Sequence, residues 1–407
     1  MRKYFLVIFV FLQSTFSVWA QTISGKLLDS LTLEPISYAH IYSESFDLGT
    51  ISNELGEFEL NLPVKDTASL IISHIAYSPV WVSVKNDTIL NIAMSKNIVY
   101  LHEVEVVVND KAFQIAEEVL ASLKEAKVSY GKTFYRQLVF QDTVATEFIE
   151  AFYNVSFSLN GVDKINIEQA RYARKKHSPV SVFFSFTNFS YLSVGSHIFT
   201  EDKETTKNKK RAVGRPFATY FFEQYDFTLK KEYRKGTDSY VVITFKPSNE
   251  LDNQVNSYGY FTYNTSQKRL VEYIASIDHA LGADKISKNA VDKKLKITNP
   301  IYSWKFSFSD TENLINFILV EFNYDLLVND EVIPSKTSSK MVFYKKSSKP
   351  HKKLREPGLA LEDVSIFKNA KYKPKFWRDN PIIKRTAKEN EIISSFEKNN
   401  AFGTYFK

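Results

Sequence analysis

Tyr302-Ser303-Trp304-Lys305-Phe306-Ser307-Phe308-Ser309 places a ring on every second residue and a small or charged side chain between. Successive side chains of a strand point to opposite faces, so this octet predicts a half-buried β-strand with one aromatic face. The same period of two recurs outward from it. Downstream, Ile318, Val320, Phe322 and Tyr324 face away from Phe317, Leu319, Glu321 and Asn323, until Asn329-Asp330 turns the chain into a last strand at Lys340–Tyr344. Upstream, Val271, Tyr273, Ala275 and Ile277 alternate, and Tyr258–Tyr263 and Tyr240–Phe245 read as further strands. Tyr153, Val155, Phe157 and Leu159 alternate with Asn154, Ser156 and Ser158; Asn160-Gly161 marks a hairpin turn, and Ile165 and Ile167 begin the return. Eight to ten strands on short turns predict one large antiparallel sheet, curved or partly closed.

A helix precedes that sheet. Ala112, Ile115, Ala116, Val119, Leu120 and Leu123 recur at spacings of three and four, predicting an amphipathic helix over 111–127. Asn109 or Asp110 caps it, Lys124 and Lys127 oppose its dipole, and Gly131 is read as its stop. Glu117-Glu118 falls on the solvated face. A single apolar stripe must be covered, and the ring face of Tyr302, Trp304, Phe306 and Phe308 is the natural cover. The same rings also admit a sharper reading, an apolar groove for a lipid or acyl chain. An outer-membrane barrel fits worse, because Lys and Glu interrupt the strands too often for a lipid-facing band. The tail after Pro357 reads as loop-rich, anchored by Trp377, with Ile382, Ile383, Ile392, Ile393 and Phe396 marking a short terminal helix.

Composition agrees with a β-rich globular chain. In 407 residues, aromatics reach 15%, with 33 Phe and 23 Tyr against only 3 Met. Two or three domains fit that length. The absence of Cys excludes disulfide scaffolds, thiol nucleophiles and thiolate-held metals. A formal charge of +7 is a mild excess. Its basic residues gather at Lys203–Arg215 and Lys345–Arg355, whose Ser, Thr, Asn, Gly and Pro content reads as solvated loop. No nucleic-acid partner is expected, since neither stretch interleaves base-stacking aromatics.

Residues 1–20 read as a secretory signal peptide: Arg2 and Lys3, an apolar run from Tyr4 to Leu12, then Val18-Trp19-Ala20 at the processing position. No later stretch is apolar for long enough to span a bilayer as a helix, so no transmembrane helix is expected after cleavage. The expected destination is the periplasm or the outer membrane.

Residues 21–98 change to short strands. Ile23–Leu28 is a strand, Asp29–Pro35 a turn, and Ile36–Tyr42 a second strand with Ala39 and Ile41 facing one way. Asp47–Thr50 and Asn53–Gly56 carry turn chemistry, and Phe58 and Leu60 alternate up to Pro63. Leu70–Ile75, Val80–Val84 and Thr88–Met94 follow, giving about seven strands, as a small antiparallel β-sandwich requires.

These positions, in order, resemble the carboxypeptidase regulatory-like domain, a transthyretin-like β-sandwich. The resemblance rests on Ile23-x-Gly25, Asp29, Pro35-x-x-x-Ala39, Gly49-Thr50, Ser52-Asn53-x-x-Gly56-x-Phe58-x-Leu60 and Ser73-x-Ile75-x-Tyr77. Asn53 stands where the family usually has Asp, and Ala76 where it usually has Gly. The likeness implies a folding or interaction accessory, because the family's enzymatic members keep their chemistry in a separate domain. With Phe134-Tyr135-Arg136, Glu150-Ala151 and Phe376-Trp377-x-x-Asn380-x-Ile382 added, the chain is similar to exported Bacteroidetes carboxypeptidase-like regulatory domain-containing proteins. The expected organisation is a signal peptide (1–20), the sandwich (21–98), a linker (99–110), and a helix plus large antiparallel β domain with a loop-rich tail (111–407).

Catalytic chemistry finds little support. His102-x-x-Glu105 has the spacing of a zinc carboxypeptidase pair, but Leu101–Val108 alternates as a strand or extended linker, where residues three apart diverge. The seven His are scattered, His74 reads as a core residue, and no nucleophile elbow, phosphate loop or dinucleotide fingerprint occurs. No catalytic residue, metal ligand or cofactor is therefore assigned. The reading is a non-enzymatic exported cell-envelope binding or assembly protein, with an envelope protein, glycan or lipid as partner. The alternative is a periplasmic lipid or lipoprotein carrier with an apolar groove in the C-terminal β domain.

Overall fold

The computed structural model describes residues 20–63, 67–85, 88–96, 110–174, 193, 196–200, 213–249, 255–278, 295–309, 312, 314–328, 331–356, 367 and 371–402. The stretch expected to be a signal peptide (1–20, apart from Ala20), the His102/Glu105 pair, the Asn329-Asp330 turn and most of the basic stretch at 203–215 lie outside them. The chain forms two compact units. One comprises residues 1–74, 79–95 and 375–384; the other comprises 75–78, 96–374 and 385–407.

In the first unit, β1 (Ala20–Asp29) pairs antiparallel with β4 (Glu57–Pro63) and parallel with β7 (Thr88–Met94). A second sheet runs in the order β3 (Leu48–Ile51), β2 (His40–Ser43), β5 (Ala68–His74), β6 (Tyr77–Val84). Ile23, Leu27, Ile41, Phe58, Leu70 and Ile72 are buried between them, on the alternate positions that the sequence pattern marks. Gly49 does not turn the chain. It lies within β3, where a Cβ would meet His40 Nε2 and Ile41 O at 3.1 Å, and Asp47 takes the positive φ of 52° instead.

Asn53 organises the next turn. Its Oδ1 accepts from the N–H groups of Leu55 and Glu57, both at 2.9 Å, and Gly56 follows with φ of 73°. A carboxylate could accept those two bonds equally well. The amide adds a donor, and Nδ2 reaches the carbonyl of Lys384 at 3.3 Å, while the Thr50 hydroxyl donates to the carbonyl of Ile382. The Asn53 amide donor thus sits where the 375–384 segment, with Trp377 and Ile383 buried, completes this unit.

The second unit opens with α1 (Asp110–Lys124) and three long strands, β8 (Ser129–Gln141), β9 (Val144–Ser158) and β10 (Gly161–Arg174). The short β11 (Val213–Gly214) runs parallel to β14 (Val255–Asn264). Then follow β12 (Tyr225–Lys235), β13 (Asp238–Pro247), β14 (Val255–Asn264), β15 (Arg269–Asp278), β16 (Leu295–Phe308), β17 (Ile315–Val328) and β18 (Glu331–Ser347). The order β12-β13-β14-β15-β16-β17-β18-β8-β9-β10 is antiparallel throughout, as alternation with short turns requires. Tyr153 and Phe157 from β9 share one core with Phe227 of β12, Phe306 of β16 and the α1 stripe, so the sheet curls about a common interior. Phe113 of α1 lies 5.2 Å from Phe222 and 6.0 Å from Phe227, and Phe217 lies 5.6 Å from Phe261. Rings occupy the space beneath the helix.

Several boundaries differ from expectation. The helix ends at Lys124, and Gly131 belongs to β8, where a Cβ would meet the Lys345 carbonyl at 2.6 Å. Close strand approach, not helix termination, needs that glycine. The β9–β10 hairpin turns on Leu159-Asn160, with Gly161 starting the return strand. The described part of the tail holds two helices, α2 (Pro374–Asp379) and α3 (Ala387–Lys398); Ile392, Ile393 and Phe396 lie in α3, but Ile382 and Ile383 precede it.

Candidate functional site

On the outer face of the sheet, β12, β13 and β14 frame a surface cavity of 620 Å³. Its floor is a row of side chains in register: Thr228 stands opposite Thr244, and Thr244 opposite Tyr260. Beside this row Asp226 pairs across from Lys246, and Tyr258 projects two residues from Tyr260 on the same face. Their core-facing neighbours Phe227, Phe245 and Phe261 fix the orientation, because they are buried in the interior. Tyr258 is 41% exposed, a large ring left facing solvent. Burial pushes the Tyr260 hydroxyl up to about 12, and the Glu272 carboxylate adds to the shift, so it stays a hydrogen-bond donor at neutral pH. Glu272 is in turn held by Lys305 Nζ at 2.5 Å. The groove therefore offers a ring face, two threonine hydroxyls, a carboxylate and an ammonium.

A second polar assembly is enclosed. Glu150 on β9 receives Arg136 Nε at 2.7 Å and Arg171 Nε at 2.8 Å, and Arg136 Nη1 also reaches Glu389 of α3 at 3.2 Å. Glu389 meanwhile accepts from the Thr386 backbone N–H at 2.9 Å and closes the α3 capping box. Burial alone would raise the Glu150 carboxyl, but Arg171, Arg136 and Arg385 hold it down at about 2. All ionised partners are engaged, so this assembly docks α3 on the sheet rather than presenting a reactive group.

Histidine positions offer no common centre among the described residues. His74 is half-buried at the end of β5 instead of in the core, His40 stacks on Tyr42 at 5.7 Å, His197 Nε2 lies 3.0 Å from the Val162 carbonyl, and His351 is exposed. Among the described residues no three His, Asp or Glu converge as metal ligands. The groove residues were legible only as strand positions. Thr228, Thr244 and Tyr260 are 16 residues apart at each step, and antiparallel pairing alone brings them together.

The first unit is a β-sandwich, and a family model matches the part of the chain that builds most of it. Residues 23–107 match the family model of the CarboxypepD_reg-like domain, a regulatory-like family, which leaves α1 and β8–β18 outside the match. No curated protein matches the sequence. Two solved structures are similar in part. A candidate carbohydrate-binding protein from Bacteroides uniformis aligns at 10% identity over 38% of this chain and 98% of its own, with a TM-score of 0.17. A DUF1329 family protein from Desulfovibrio piger aligns at 7% identity over 59% and 94%, with a TM-score of 0.25. At these scores neither likeness defines the ligand of this chain. Among the described residues no helix is long and apolar enough to cross a membrane.

Proposed function

We propose that the protein is a non-enzymatic, exported cell-envelope binding protein whose outer groove on β12–β14 takes a polyhydroxylated ligand, a segment of glycan. The observation that carries this reading is the Thr228–Thr244–Tyr260 row beside the exposed Tyr258 ring. Sugar rings present C–H faces that pack on an aromatic side chain and hydroxyls that exchange hydrogen bonds with threonine, aspartate and lysine. A volume of 620 Å³ lies within the range of small-ligand clefts. The regulatory-like sandwich is compatible with an accessory role.

The carrier alternative needs an open apolar space beneath α1, and there Phe113, Phe217, Phe222 and Phe227 pack on one another. The test is calorimetric titration of the mature protein with malto- and cello-oligosaccharides and with oligosaccharides released from the native envelope. Saturable binding weakened about tenfold in Tyr258→Ala and Thr244→Val supports the groove. Absence of binding to every probe, or an acyl lipid co-purifying in equal proportion, sinks it. N-terminal sequencing of the exported product tests cleavage after Ala20.

A further inference from the structure

Arg215 follows β11 and lies on the inner side of the sheet, away from the groove. Its Nη1 donates to the His197 carbonyl at 2.7 Å, and its guanidinium carbon stands 5.9 Å from the centre of the Trp304 ring. No carboxylate of the described residues forms an ion pair with it. Around it the inner face presents tyrosine hydroxyls from three strands. Tyr225 of β12 shares a hydrogen bond with Ser257 at 3.1 Å, and Tyr302 of β16 shares one with Ser196 at 3.0 Å. Two donors are left over: the Tyr273 hydroxyl and Trp304 Nε1 are buried and have no hydrogen-bond partner.

Buried donors are almost always paired, and a cation in partly buried surroundings normally has a counter-charge. Here a guanidinium with no described counter-charge shares one face with a phenol and an indole N–H that have no acceptor. The missing chemistry is an acceptor that carries negative charge. At the Tyr225, Tyr273 and Tyr302 hydroxyls burial raises the ionisation range, and Arg215 opposes that rise at each, so its field reaches all three.

We propose that Arg215, Tyr273 and Trp304 form a binding site for one oxyanion group, a carboxylate, sulfate or phosphate. Each contributing group can donate, and the guanidinium charge favours an acceptor-only anion over a cation. The site is independent of the groove on the opposite face.

The experiment titrates the mature full-length protein with inorganic phosphate, sodium sulfate and sodium glucuronate at constant ionic strength, with chloride as reference. Binding is read by calorimetry and by the rise in thermal midpoint. The expected result is saturable binding of at least one probe, weakened tenfold or more in Arg215→Gln and several-fold in Tyr273→Phe and in Trp304→Phe. Neither of the latter variants removes a protein hydrogen bond at the altered atom, so both keep the test open if Arg215→Gln does not fold. Preference for glucuronate identifies a carboxylate ligand, and preference for phosphate or sulfate a tetrahedral one. No saturable binding beyond chloride, or unchanged affinity in all three variants, overturns the assignment.

Discussion

Glu150 and Arg171 stand directly opposite one another on β9 and β10, and Arg171 donates to Glu150 Oε2 through Nε at 2.8 Å and Nη2 at 2.5 Å. Arg136 occupies the matching position on β8, so one row across three strands reads Arg, Glu, Arg. The Arg171 guanidinium also lies 5.2 Å from the Phe148 ring and 5.1 Å from Phe402, which shields the pair from water.

Glu150→Gln should destabilise the protein by about 3–5 kcal/mol, because it leaves two buried guanidiniums facing a neutral amide. Urea unfolding followed by far-UV circular dichroism measures this. A loss below about 1 kcal/mol would mean that water reaches the row.

Acid should weaken the same unit in a defined window. The Glu150 carboxyl sits at about 2 in the fold against 4.5 for the free side chain. Its contribution is complete above 4.5 and is lost as pH falls towards 2. Unfolding midpoints taken at steps between those limits should decline in the native protein, with a shallower decline in Glu150→Gln.

Asn53→Asp should cost about 1–2 kcal/mol. The turn acceptor survives, but the Nδ2 donor to the Lys384 carbonyl is lost and a carboxylate faces that oxygen. Amide exchange along 376–384 should accelerate in the variant. Unchanged exchange would refute a role for Asn53 in holding that segment.

Glycine substitutions should rank by what a Cβ meets. At Gly259 it would lie 2.0 Å from the Ile274 carbonyl and at Gly131 2.6 Å from that of Lys345, both backbone atoms on paired strands. Each alanine variant should lose about 1–3 kcal/mol through forced strand displacement. Gly236 has φ of 59° and nothing within 4 Å, so Gly236→Ala should cost only about 1–2 kcal/mol of backbone strain. Thermal midpoints of the three variants check the order.

Strands with one wet face were readable in advance, as β16 and β17 show. Those covered on both sides were not. β8 is nearly continuously buried from Thr133 to Val139, because its inner residues join the core while Arg136 and Leu138 lie under α3, so no alternation survives. In β12 the alternation of Tyr225, Phe227 and Leu229 stops at an irregularity between Leu229 and Lys231, which hid the strand. In the sequence alone, Arg136 and Glu150 stand out only as parts of a family likeness. Their shared row was illegible, since nothing local announces which strands will be neighbours.

Period-two alternation determined by itself that this chain is mainly β and which residues of the open-faced strands turn inward. Those properties follow from backbone geometry within a few residues, which sends successive side chains to opposite sides. The tertiary structure alone decided that β18 lies beside β8, that Glu150 meets two arginines, that Asn53 meets Lys384, and that Thr228, Thr244 and Tyr260 line one groove. Such meetings depend on ladder register and on burial shared by residues far apart in the chain, quantities set by the whole fold and by no single segment.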